Sequence, residues 1–273
     1  MAAARDADRA RAAGSAALLL GVPLGVKDSY LTNMPNQLGA KSSYTRPLTR
    51  AIETFMQATM NGYKRNQVEE AISRLNGEST AAPSQGLRTQ LKRLLDTDRA
   101  ATQEARATGS KIVNHAFYSI DSPGKGTEVF FSDYEAFALD TGLRLSSHGW
   151  PQGFVVRALR HVRRDFEKHH ARILRQDPAE LFDAKIIKEN ARPGDLGVDN
   201  TDPVFLTIAT RKASFADGKD DLTTTTICRG IEEVSKFVKQ NQAHSWSLFE
   251  LATRAHQLTR ELSHTLPRSR GRS

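Results

Sequence analysis

Val129-Phe130-Phe131-Ser132-Asp133-Tyr134-Glu135-Ala136-Phe137 is the stretch on which the reading of the fold turns. Its first three residues are apolar and suited to a strand. Ser132 and Glu135 then stand at S-x-x-E spacing. There a serine side chain accepts from the third helical N–H, and the glutamate reaches back to the serine's own N–H. A strand therefore gives way to a helix within a few residues. Downstream, Phe137, Leu139, Leu143 and Leu145 continue the helix to a stop near His148-Gly149. Upstream, residues 115–120 and 127–131 are two β-rich runs. Asp121-Ser122-Pro123-Gly124-Lys125-Gly126 lies between them, which predicts a hairpin.

Further towards the N-terminus, Val68, Ala71, Ile72 and Leu75 fall at helical spacing and Asn76-Gly77 supplies a stop. A loop over 78–86 leads to a second helix marked by Leu87, Leu91, Leu94 and Leu95, whose end blurs into a polar stretch reaching Lys111. Towards the C-terminus, Trp150-Pro151 opens a helix with Phe154, Val155, Ala158, Leu159, Val162 and Phe166 on its apolar face. Arg157, Arg160, Arg163 and Arg164 lie largely off that face. A further helical stretch starts at Asp177-Pro178 and ends before Pro193-Gly194. Residues 204–210 and 223–228 read as strands, and 231–240 and 247–266 as helices. Trp150 and Trp246 read as core anchors. The tail contains Arg268, Arg270 and Arg272 and is expected to be disordered.

The fold class expected is mainly α with small β-hairpins, α+β: a winged helix-turn-helix-like domain over 60–176 and an α+β, largely helical C-terminal part over 177–266. The tail 267–273 follows. A linker over 34–59 and a separate segment over 1–33 precede it.

The chain has 273 residues and a net charge of +8, and a basic balance attracts polyanions, nucleic acid foremost. No apolar run approaches the ~20 residues a membrane helix needs. Ala16 to Leu20 is too short for the core of a signal peptide. The single cysteine, Cys228, excludes an internal disulfide and a cysteine-cage metal site, so the expected compartment is the cytoplasm. His161, His169 and His170 lie near one helix without an i, i+4 pair, and His115, His244, His256 and His264 are scattered. No metal and no cofactor are expected on that pattern. Asp195, Asp199 and Asp202 cluster before Pro203, where turn chemistry explains them.

At the N-terminus an Ala/Arg-rich helix ending at Gly14 leads into Gly21-Val22-Pro23-Leu24-Gly25-Val26-Lys27-Asp28 and then Tyr30-Leu31-Thr32. This segment resembles the amidase signature family, in which the lysine closing such a strand belongs to a Ser-Ser-Lys triad. The resemblance implies that Lys27 matches that lysine, a general base when desolvated beside its serine. The family's Gly-Ser-rich loop has no counterpart downstream. Ser42-Ser43 follows Lys27 too closely and has no flanking glycines. Lys27 therefore has no nucleophile to activate, and no amide hydrolysis is expected.

Over 63–166 the order helix, loop, helix, hairpin, helix, helix is that of a winged helix-turn-helix. It is similar to MerR-type winged-helix regulators, with 129–137 at the passage from wing to third helix. The resemblance implies duplex DNA as partner. Lys64, Arg65, Arg88, Lys92 and Arg93 would meet phosphates, with Lys125 on the wing, and Gln67 or Gln90 would reach base edges. The C-terminal part would form a homodimer or contact a partner. Two other readings stay open. In one, the chain is an amidase-family protein by ancestry; in the other, it is a structural partner protein whose charges are the solvated faces of amphipathic helices.

Overall fold

The computed structural model describes residues 62–78, 82–109, 114–119, 128–191, 197–211 and 222–268. Lys27 with the whole of 1–33, the linker 34–59, Lys125, Asp195, Arg270 and Arg272 lie outside these residues. The described residues are mixed α and β, with eight helices and two small antiparallel sheets.

Strand β1 (Tyr63–Lys64) runs into helix α1 (Arg65–Leu75), which buries Val68, Ala71 and Ile72. Helix α2 (Gln85–Ala107) starts at Ser84, whose hydroxyl accepts from the N–H of Leu87 at 3.2 Å. It runs well into the stretch whose polarity had blurred its end. The reason is that two of those polar residues point inward. Asp98 and Thr102 are buried; Asp98 accepts from the N–H groups of Ala116 at 3.1 Å and Phe117 at 3.2 Å, and from Arg160 Nε at 2.6 Å.

Those bonds also overturn the expected hairpin. Residues 114–119 form no strand, and the chain bends at 116, 117 and 119. The N–H groups of Ala116 and Phe117 go to Asp98, that of Ser119 goes to Glu135, and the carbonyls of His115 and Tyr118 accept from Arg163. With backbone donors and acceptors taken by side chains, no ladder can form there. Strand β2 (Phe130–Phe131) pairs instead with β1, Tyr63 opposite Phe131 and Lys64 opposite Phe130. Gly62 makes the junction possible: its φ is +77°, and a Cβ there would stand 2.8 Å from the Phe131 carbonyl oxygen.

Helix α3 (Asp133–Ser147) begins with the expected capping box, Glu135 N–H to Ser132 Oγ at 3.2 Å and Ser132 N–H to Glu135 Oε2 at 2.8 Å. Helix α4 (Gln152–Ile173) buries Val155, Leu159, Val162, Phe166 and Ile173. The single helical stretch expected from Asp177 is two short helices, α5 (Pro178–Leu181) and α6 (Ala184–Asn190), because Asp183 supplies a second cap to the N–H of Lys185 at 2.7 Å.

The C-terminal third forms a three-stranded sheet, β3 (Val204–Arg211), β4 (Leu222–Arg229) and β5 (Ser245–Glu250), in the order β4-β3-β5. Helix α7 (Gly230–Gln240) covers Phe205 and Cys228, and α8 (Ala252–Ser263) ends the described fold. The helix expected over 247–266 is thus a strand followed by a shorter helix. Central strand β3 takes β5 as its second partner, with Phe205 opposite Glu250 and Thr210 opposite Ser245. Glu250 then caps α8, accepting from the N–H of Ala252 at 2.7 Å. Trp246, expected in the core, is 54% exposed, whereas Trp150 is partly buried and stacks on Phe154 at 4.7 Å.

One core crosses the boundary expected at 176/177. Ile72, Leu94, Phe137 and Phe166 share it with Leu206, Ile208, Phe249, Leu258 and Leu262. Arg254 of α8 holds Asp140 of α3 with two bonds, at 2.7 and 2.8 Å, and reaches Asn76 Oδ1 at 2.9 Å beyond the end of α1. None of the described helices is long and apolar enough to cross a membrane.

Candidate nucleic-acid interface

The residues expected to face a nucleic acid separate into three groups. Gln67 is buried on α1. Its Oε1 accepts from the N–H of Lys64 at 3.0 Å and its Nε2 donates to the Thr265 carbonyl at 3.1 Å, so it cannot reach a base edge. This corrects its expected role: the end of α8 covers the position from 198 residues away in sequence.

The second group is cationic but neutralised. Lys64 Nζ lies 2.8 Å from Glu128 and sits over the Phe130 ring. Arg65 Nε is 2.7 Å from Glu69 Oε1, and Arg88 Nε is 3.7 Å from the other oxygen of the same carboxylate. Arg268 pairs with Glu70 at 3.0 Å, and Arg74 with the same carboxylate at 2.6 Å. Lys64, Arg65 and Arg268 line an open cavity of about 410 Å3 that they share with Glu69 and Glu128. Burial, then the Asp133 charge, pushes the Tyr63 hydroxyl well up, and burial raises the Asp133 carboxyl.

The third group is Gln90, Lys92 and Arg93. All three are exposed on α2, and none has a side-chain hydrogen bond or ion pair among the described residues.

Helix α4 divides its arginines in the same way. Arg160 is spent on Asp98 and on Thr102 Oγ1 at 2.7 Å, and Arg163 lies 5.3 Å over the Tyr134 ring while bonding the 115–118 backbone. Arg157 and Arg164 remain exposed. Arg172 and Arg229 meet at Asp202, at 2.6 and 2.7 Å, with Gln176 Nε2 at 2.8 Å. Partial burial opposes ionisation of Asp202, but these hydrogen bonds outweigh it and hold the carboxyl below its usual range. Asp202 is thus a clamp between α4 and β4 rather than a turn residue alone.

Two histidines sit against the core. His170 stacks on Phe137 with ring centroids 4.7 Å apart, and His256 Nε2 lies 3.1 Å from the Ile173 carbonyl. Among the described residues no group of three or more His, Cys, Asp or Glu is placed to hold a metal ion. Compared with known proteins, the chain matches no family model, no curated protein and no solved structure.

Proposed function

We propose that the chain is a non-catalytic duplex-DNA-binding protein in which α1 and α2 act as the helix pair of a winged-helix-like domain and the outer face of α2 meets the phosphates. The observation that carries this reading is the state of Lys92 and Arg93. Both are exposed and neither makes an ion pair among the described residues, Asp96 on the same helix being paired with Arg99, while Lys64, Arg65 and Arg88 each have a carboxylate partner. An unpaired cation exchanges only a counterion when it meets a phosphate, whereas a paired one must first break its salt bridge. Gln90 supplies a side chain of the type that reads adenine edges. On this reading the β1–β2 ribbon stands where a wing would, and the amidase-like segment with Lys27 is an ancestral remnant without catalytic function.

The test is fluorescence anisotropy of the full chain on a random-sequence duplex across a salt series. Each phosphate contact contributes about −0.9 to the slope of log affinity against log salt. Lys92→Ala with Arg93→Ala should make the slope shallower by about 2. Wild-type protein without salt-sensitive duplex binding at low ionic strength would end the proposal.

A further inference from the structure

Arg157, His161, Arg164 and Lys168 follow one another on α4 at intervals of four, three and four residues, and all four are exposed. At 100° and 1.5 Å per residue they form one stripe, within about 60° of arc and along about 16 Å. The stripe lies opposite the buried row of Val155, Leu159, Val162 and Phe166. Among the described residues none of the four makes an ion pair or a side-chain hydrogen bond.

Several cations on other helices are paired within their own helix, though Lys92 and Arg93 of α2 are not. Arg65 pairs with Glu69 and Arg74 with Glu70 at i, i+4 spacing, and Arg99 with Asp96 at i, i+3. On α4 the acids Asp165 and Glu167 fall to either side of the stripe, roughly 70–90° from its centre. Like charges at i, i+4 destabilise a helix. The last turn of α4 holds His170 and Arg172, so Arg157, Arg164 and Lys168 all lie too far from the C-terminal end to gain from the helix dipole.

We infer that this stripe is a second binding track, for the phosphate backbone of a nucleic-acid duplex. It shares its partner with the proposed function and rests on that reading for the partner alone, because it lies on a different helix. The charge pattern selects the partner. A duplex strand presents one phosphate per 3.4 Å of axis, so about five phosphates of one strand run past a stripe of this length. Contacts of this kind position the duplex without reading its sequence.

The test compares two variants of the full chain on a random-sequence duplex between 50 and 200 mM salt. One is Arg157→Gln, Arg164→Gln, Lys168→Gln; the other is Lys92→Gln, Arg93→Gln. The stripe variant should have a slope shallower by about 2.7, so wild type should lose about 40-fold more affinity than it does over that range. A charge-conserving variant, Arg157→Lys, Arg164→Lys, Lys168→Arg, should keep the wild-type slope, which separates charge from any effect on helix stability. An unchanged slope in the stripe variant overturns the inference. So does loss of binding to anionic phospholipid vesicles in that variant with duplex binding intact. An effect confined to the α2 variant overturns the inference and keeps the proposed face. An effect confined to the stripe keeps the inference and overturns the α2 face. No duplex binding by wild type overturns both.

Discussion

Asp98 and His170 are polar residues placed where the core is. Asp98 is fully buried, yet two backbone N–H groups and the Arg160 guanidinium satisfy it. Such a carboxylate organises the segment that meets it, and removal of either partner would strand a buried charge. His170 is satisfied differently. Its ring lies on Phe137 and edge-on to Tyr134, so the neutral imidazole packs as an aromatic. Burial, and then the nearby His256, lowers it from 6.5 to about 4. The unfolded chain therefore binds a proton that the folded chain refuses. This contribution to stability is whole above pH 6.5 and is lost as pH falls towards about 4. At 1.36 kcal/mol per unit the full loss is about 3 kcal/mol. Urea midpoints measured at pH 7.5, 5.5 and 4.5 should fall more steeply in wild type than in His170→Phe. Equal pH dependence in the two proteins would show that the imidazole does not exclude the proton. In sequence, nothing distinguishes His170 from exposed His161 except its place on the apolar side of the helix. That place was legible; the ring stack was not.

At the scale of elements, the best-read feature is the start of α3, because a capping box is local chemistry closed within four residues. Ser132→Ala should remove one bond to an otherwise orphan donor and cost about 1 kcal/mol. In a chain of this size that lowers Tm by about 2–4 °C per kcal/mol. Ser132→Asp should restore it, and a melting curve of Ser132→Ala superimposable on wild type would mean that Glu135 holds the junction alone. Two of the misread elements share one cause. Residues 115–120 have strand composition, but the buried Asp98 and Arg163 take their backbone groups. Residues 247–250 have an apolar pattern suited to helix or strand, and the open edge of β3 decided for strand. In each case the competitor lies far away in sequence, where periodicity has no reach.

For the whole molecule, the division at 176/177 is the instructive case. Helix α8 packs on α1, and Gln67 and Arg254 tie their ends together. A chain limited to 60–176 would lose Leu206, Ile208, Phe249, Leu258 and Leu262 from its core. At roughly 1.5–3 kcal/mol for each large apolar side chain, that equals the entire stability of an ordinary domain. The 60–176 fragment should therefore lack a cooperative thermal transition by near-UV circular dichroism. A sharp transition in that fragment would favour the two-domain reading.

The sequence by itself determined the helical segments around Val68, Leu91, Phe137 and Leu159, the strands around Ile208 and Ile227, the capping box at Ser132 and the basic balance. These follow from side-chain spacing and short-range hydrogen bonds, which the chain specifies within a turn or two. Only the tertiary structure decided which charges are spent. Arg160, Arg163 and Arg254 hold the fold together, as does the uncharged Gln67, while Lys92, Arg93, Arg157 and Arg164 remain exposed. The pattern of a single helix says which face is apolar. Whether a polar residue beside that face meets water or a buried partner depends on what another part of the chain brings to it.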